Sequence, residues 1–351
     1  MFRQILSVET SCDDTSVAIV NAEGFVLAQC SASQDLQHAP FGGVVPEVAS
    51  RNHTLALLPL IEETLKKADV TMNDLDGYTV TNRPGLIGSL IVGLMTVKAL
   101  SQAHNKPFIG VNHLEGHLLA PFLKDNEYAP PADFNYPYIA LAVSGGHSSL
   151  YWVEAFNKYT IIGTTKDDAA GEAFDKFAKM LGLPFPGGVN VDRLATSGHR
   201  TKYDFPRGLL HEKSLMMSFS GLKSAAHRLL TKMSPDEMKA EAPDLCASFQ
   251  EAVVETLIAK MTLAAALFKT KKIVITGGVS ANSRLREKAT EMIAKGYQIV
   301  IPPIRYCTDN AAMIGYAGIL HLNAGETSSL DQGPASSSYE NDFTVKLREH
   351  I

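Results

Sequence analysis

The pattern that most narrows the possible folds is a repeat of three apolar runs. Ile5 to Glu9, Thr15 to Val20 and Phe25 to Ser31 are apolar stretches separated by polar turns. Tyr138 to Val143, Ser148 to Val153 and Thr160 to Thr164 repeat the arrangement in the second half of the chain. Each set reads as strand, turn, strand, turn, strand, with Asn21-Ala22-Glu23-Gly24 as a good hairpin turn. After the first set, a helix from about Glu47 to Ala68, a strand at Tyr78 to Asn82, a helix through Ala103 and a strand at Phe108 to Asn112 follow in turn. After the second set come an amphipathic helix from about Pro243 to Phe268 and strands at Lys272 to Thr276 and Ile299 to Pro302. Strands alternating with helices make an α/β layer. At 351 residues, a duplicated α/β chain is expected to form two lobes around a central cleft. The polar segment Lys124 to Tyr136, with Pro130-Pro131, marks the boundary. It gives lobes of residues 1–124 and 125–351, the second carrying a helical basic insertion at about 185–245.

Composition excludes several classes. Hydrophobic residues at 45% and charged residues at 20% fit a full globular core. A net charge of −5 gives no global attraction to nucleic acid, so any such binding is local. Cys12, Cys30, Cys246 and Cys307 are widely spaced and contain no CxxC pair, which rules out a thiolate zinc cluster and suggests no disulfide framework. The start shows no leader pattern, and no run of ~18 apolar residues occurs, so no membrane span is expected. The expected setting is the reducing cytoplasm.

The strand at Phe108 to Asn112 delivers the chain to His113-Leu114-Glu115-Gly116-His117. On a helix, four residues return to the same face, so the two imidazoles can grip one cation. A third ligand must then come from elsewhere. Zinc proteases also space two histidines this way, but they need Glu directly after the first. Here Leu114 holds that place, and Glu115 falls about 200° from His113, on the far side of the helix. Spacing alone leaves two readings, a metal site or two histidines with ordinary hydrogen bonds.

Other segments suit an anionic ligand. The turns Glu9 to Thr15 and Ser144-Gly145-Gly146-His147 each follow the first strand of a set; each is either a plain hairpin turn or a meeting point for a phosphate, and Gly145 and Gly146 permit close backbone approach. Asp167 to Leu181 opens with acids that suit a helix N-terminus, whereas Asp175 lies deeper and is a better binding candidate. Pro186-Gly187-Gly188 followed by Asp192 suits a ribose contact or a plain linker. Gly277-Gly278 leading to Asn282 is a strand–glycine–helix arrangement that binds anions. Asp309 is either the N-cap of the last helix or the missing third ligand. Gly198 to Lys232 carries seven Lys and Arg against two Asp and Glu, net +5 in a chain of net −5. It is the one stretch suited to a nucleic-acid backbone, or else a solvated face.

Taken together, Val8 to Thr15, Gly42 to His53, His113 to Pro121, Val143 to His147, Asp167 to Lys176, Pro186 to Gly188, Phe219 to Lys223, Gly277 to Arg286 and Cys307 to Asn310 carry a resemblance. From Ile5 to about Gly318 the chain resembles the universal family of tRNA threonylcarbamoyl transferases, called TsaD in bacteria. Gly42 to Glu47 is similar to the bacterial branch. The resemblance implies a duplicated fold of the actin, sugar-kinase and heat-shock ATPase kind. It implies one iron(II), or zinc, per subunit, on His113, His117 and Asp309. It implies a nucleotide-type substrate, L-threonylcarbamoyl-adenylate or ATP/AMP, on Ala142, Val143, Ser144, Gly145, Gly146, Asp175, Gly188, Asp192 and Asn282. Asp13 is the candidate for a proton acceptor or for a cation relay near the phosphate. The implied reaction moves the threonylcarbamoyl group to N6 of the adenosine next to the tRNA anticodon and releases AMP, with TsaB and TsaE as partners. Arg83 stands where the family has Gly before Pro-Gly, and Val189-Asn190-Val191 departs from the usual continuation. A small-molecule kinase without a histidine metal site, and a non-catalytic nucleotide-binding partner, are the two competing function classes.

Overall fold

The computed structural model describes residues 1–339 and 341–347. The strands are β1 (Gln4–Glu9), β2 (Thr15–Asn21), β3 (Val26–Ala32), β4 (Gly77–Arg83), β5 (Phe108–Asn112), β6 (Tyr138–Val143), β7 (Ser148–Ala155), β8 (Lys158–Thr164), β9 (Lys272–Thr276), β10 (Gln298–Val300) and β11 (Thr344–Val345). The helices are α1 (Asp35–His38), α2 (Pro46–Ala68), α3 (Ile87–His104), α4 (His113–Leu119), α5 (Ala170–Met180), α6 (Gly187–Ala195), α7 (Ser220–Leu230), α8 (Pro235–Leu267), α9 (Ser283–Ala294), α10 (Ile304–Cys307) and α11 (Ala311–Asn323).

The two sheets repeat one topology. The first has the order β3-β2-β1-β4-β5 and the second β10-β9-β6-β7-β8-β11. In both, three antiparallel strands are followed by two parallel ones: β1 pairs with β2 antiparallel and with β4 parallel, as β6 does with β7 and β9. The central strands β1 and β6 are buried along almost their whole length, as continuous apolar runs with covered faces should be.

The chain divides into two compact units, residues 1–133 with 302–342, and residues 134–301 with 343–351. The break lies inside the polar segment expected to hold it. The expectation that everything after 125 belongs to the second lobe is corrected: residues 302–342 belong to the first. The physical reason is α11. Leu6, Val8, Val17 and Val80 pack with Leu57, Ile61, Leu94 and Val97 of α2 and α3 on one face of the first sheet. α11 covers the other face, with the Ser7 hydroxyl donating to Ala311 O at 2.7 Å. Gly318 sits so close to β4 that a Cβ there would collide with the Thr79 side chain.

In the second unit, α5 and α8 bury Phe174, Phe177 and Phe249 against β6 residues Ile139 and Leu141. The helix expected from Pro243 instead begins at Pro235, capped by Ser234, whose side chain accepts from Glu237 N at 3.3 Å. No helix among the described residues is long and apolar enough to cross a membrane.

Candidate metal centre and substrate loops

Two pieces of the first unit meet at the metal candidates. β5 ends at Asn112, whose side chain caps α4 by accepting from Leu114 N at 2.8 Å. That cap starts the helix at His113 and places His117 one turn on. The second piece is the turn before α11. Asn310 is the cap there, accepting from Met313 N at 2.9 Å, so Asp309 is released from capping. Of the two roles the sequence left open for Asp309, capping is thereby removed. Small size at Gly116 lets α11 approach, since a Cβ would stand 2.9 Å from Met313 and Ile314 side-chain atoms.

The result is a tight cluster. One ligand atom from each of His113, His117 and Asp309 lies within 4.8 Å of the others. His113 Nε2 and His117 Nε2 are each 3.3 Å from Asp309 Oδ1. His117 is buried, yet neither of its ring nitrogens makes a hydrogen bond. Buried polar atoms rarely go unpaired, and a cation is the partner that would satisfy this one. Two imidazoles and one carboxylate fit iron(II) or zinc with positions left for another ligand.

Behind the cluster stands a residue that sequence reasoning missed. Glu9 Oε2 accepts from His113 Nδ1 at 3.0 Å, and Ser11 Oγ lies 3.2 Å from the same nitrogen. Glu9 is itself held by the Thr81 hydroxyl and by Ser11 N at 2.5 Å. A carboxylate on the far nitrogen fixes tautomer and ring orientation and turns Nε2 toward the ion. Burial alone would depress the His113 pKa, but Asp309 and Glu9 hold it well above the ordinary value. Burial also works against the Asp309 carboxylate, and the two imidazoles still keep it well below the usual range. Burial lowers the pKa of His117, against the pull of Asp309.

Glu115 turns away from the cluster, as its angle on the helix predicted. It pairs with His321 Nε2 at 2.9 Å. A protease-type base is therefore not in place. Asp13 lies in the turn after β1, its carboxyl raised by burial and by Asp309. Its neighbour Asp14 is raised to about 7, chiefly by burial and then by Asp13. Asp14 also lines a cavity of about 520 Å³ with Ser31, Arg305, Thr308 and Asp309.

The candidate substrate residues all lie in the second unit. Ala142 and Val143 end β6, and Ser144 N closes the following turn on His147 O at 2.8 Å. Gly145 and Gly146 are exposed, with open space where a Cβ would project. Asp175 Oδ1 accepts from Gly187 N at 2.9 Å and Gly188 N at 3.3 Å, so it holds the start of α6. Burial raises its pKa against those two bonds. Asp192 accepts from Ser283 Oγ at 2.7 Å and from Asn282 Nδ2 at 3.2 Å. Asn282 also donates to Gln250 Oε1 at 2.7 Å and caps α9 through Leu285 N at 3.0 Å. Its amide is thus engaged on every side. At Gly277 the backbone has φ +89°, and a Cβ would strike the Val143 carbonyl.

The basic stretch is less basic in three dimensions. Arg200 pairs with Glu287 at 2.9 Å, Lys202 with Asp244 at 2.8 Å, Arg207 with Glu255 at 2.8 Å and Lys223 with Asp168 at 2.6 Å. Among the described residues, exposed Lys213, Arg228 and Lys232 form no ion pair. Buried Lys260 donates to the carbonyls of Leu209, Glu212 and Ser214 at 2.5, 3.1 and 2.7 Å, which pins the loop bearing Lys213.

Two repeated α/β units define a protein of the actin, sugar-kinase and heat-shock ATPase class, here with a His-His-carboxylate cluster in its first unit. Solved structures agree on the fold. Full-length HypF in its phosphate- and nucleotide-bound form superposes with a TM-score of 0.60 at 12% identity, over 96% of this chain and 56% of that chain. Component A of the (R)-2-hydroxyglutaryl-CoA dehydratase of Acidaminococcus fermentans gives 0.53 at 15% identity, over 92% and 99%. The chain belongs to the tRNA N6-adenosine threonylcarbamoyltransferase family, whose model matches residues 25–316. It is similar to the tRNA N6-adenosine threonylcarbamoyltransferase of Bdellovibrio bacteriovorus, 59% identical over 98% of this chain and 100% of the relative.

Proposed function

We propose that this chain transfers the threonylcarbamoyl group of L-threonylcarbamoyl-adenylate to N6 of the adenosine next to the tRNA anticodon, releasing AMP, as a metal-dependent enzyme. The observation that carries the reading is the carboxylate-backed cluster of buried His113 and His117 with half-buried Asp309, in a chain of this family. The ion proposed for it is iron(II), with zinc as the alternative on the same donor set. When bound, such an ion acts as a Lewis acid that polarises a carbonyl oxygen.

The chain's own residues supply the rest. Glu9 and Ser11 hold the His113 ring. The adenosine N6 attacks the carbamoyl carbon, the bond from that carbon to the phosphate oxygen breaks, and the electron pair leaves with AMP. Asp13, its basicity raised by burial, takes the proton from N6. Amides at Gly145 and Gly146 are open to receive oxygen atoms of the adenylate, Ala142 to Ser144 present that turn, and Asp175, which holds the start of α6, and Gly188 are proposed to contact the same substrate. Asp192 and Asn282 serve the ribose or phosphate only by giving up one of their present bonds. Action in the cytoplasm, with TsaB and TsaE as partners, belongs to the same proposal.

The test is transfer in vitro. Purified, iron-loaded protein is given threonylcarbamoyl-adenylate and unmodified tRNA, with and without TsaB and TsaE. Modified adenosine and stoichiometric AMP are expected. Their absence with both partners present would sink the proposal.

A further inference from the structure

The last segment of the first unit runs as a strap along the outer edge of β5 and over the ends of β4 and β5. Ser328 N donates to Phe108 O at 2.9 Å, Gly110 N donates to Ser328 Oγ at 2.9 Å, and Ala335 N donates to Asn82 O at 2.9 Å. The strap closes on Arg83, the last residue of β4. Arg83 Nε donates to Asp342 Oδ2 at 2.8 Å and its Nη2 donates to Oδ1, a two-pronged pair. The guanidinium lies over the Tyr339 ring, 4.4 Å from its centre. The two charged side chains are 13% and 9% exposed, so this is not a solvated surface pair.

The same carboxylate reaches the metal helix. Asp342 Oδ2 accepts from Asn112 Nδ2 at 2.9 Å, and Ser338 Oγ accepts from it at 2.9 Å. Asn112 Oδ1 caps α4, and His113 is the next residue. α4 has only seven residues, too few to hold an orientation by its own hydrogen bonds. Its first turn is therefore set by what holds Asn112.

We propose that Arg83 and Asp342 are positioning residues of the metal centre. Through Asn112 they fix the first turn of α4, and with it the convergence of the His113 and His117 rings. Asp342 sets the donor end of the Asn112 amide, which leaves the oxygen end facing Leu114 N. Arg83 keeps the Asp342 carboxylate in place. Removing either partner strands a charge among buried groups, and the Asn112 amide then loses its reason to point one way. A strap that only anchored the chain's end would need neither the second acceptor on Asp342 nor the contact to Asn112.

The inference rests on the metal reading above, and the experiment separates the two. The full-length chain and the variants R83A, R83K and D342N are stripped of metal. They are then titrated with Co2+ against a chelator, with the ligand-field absorption recorded. D342N keeps the side chain's size and is the mild variant if R83A folds poorly. Roughly tenfold weaker cobalt binding with altered absorption bands is expected for D342N and R83A, the range found for outer partners of metal ligands. R83K, which keeps charge without the fork, should fall between. Unchanged affinity and bands in D342N and R83A, whatever their melting temperatures, overturn the inference while leaving the metal reading intact. A parent chain that takes up no cobalt overturns both.

Discussion

At His113, Glu9 and Ser11 hold Nδ1, whereas neither nitrogen of His117 makes a hydrogen bond. The two ligands should therefore respond differently to changes around them. H113A and H117A are expected to lose the metal outright, measured as metal content after purification. E9Q should retain it with roughly 10- to 100-fold lower affinity, measured by chelator competition. An E9Q affinity equal to that of the parent would make Glu9 a structural carboxylate only. The histidine pair was legible because both candidate ligands sit within one helical turn. Asp309 was legible only as one of two options, since a polar residue before a helix is equally a cap. Glu9 was not legible as an orienter. It is 104 residues from its partner, and at the end of a strand it reads as part of a polar turn. The buried Lys260 was equally hidden, because its three carbonyl partners belong to an irregular loop that no spacing rule picks out.

Elements succeed or fail on close contacts of their own kind. α11 lies on β4 at Gly318, where a Cβ would meet Thr79. G318A should cost about 1–3 kcal/mol in urea unfolding, the ordinary range for overpacking. The start of α7 depends on Asp167, which accepts from Phe219 N at 2.7 Å, Ser220 N at 3.1 Å and Ser220 Oγ at 2.7 Å. Burial works to raise its pKa, but these bonds bring it below the usual carboxylate value. A depressed folded pKa gives stability that is present above the unfolded value of about 4 and lost as pH falls below it. D167N should be less stable than the parent at neutral pH and lose less on acidification below about pH 4, read by denaturant midpoints. For tRNA, the alanine variant of Lys213, Arg228 and Lys232 should flatten the salt dependence of binding by about two to three units of slope. R200A with R207A should change it less, because Glu287 and Glu255 already meet those charges. The sequence count of +5 missed this because the neutralising acids lie on α8, on α9 and just before α5. The true start of α8 carries its own signal: Ser234-Pro235-Asp236-Glu237 is a capping box with Pro at the first helical position, and Pro243, a residue that usually marks a boundary, lies inside the helix.

On the scale of the whole chain, the duplicated strand pattern was legible because both sets of runs are contiguous. The return of residues 302–342 to the first unit was not, since nothing local to α11 names the sheet it will cover. A chain ending at residue 301 should therefore leave one face of the first sheet bare. It is expected to bind no metal and to lose amide-exchange protection in β1 and β4, measured by mass spectrometry. Retained protection would show that the sheet closes without α11. The same path through the chain has a consequence on the ribosome. Residues 134–301 must emerge between His117 and Asp309, which at about 5–20 residues per second is a wait on the order of ten to forty seconds. Until then the nascent chain can offer an ion only imidazoles, and a completed donor set would record that translation has passed Asp309.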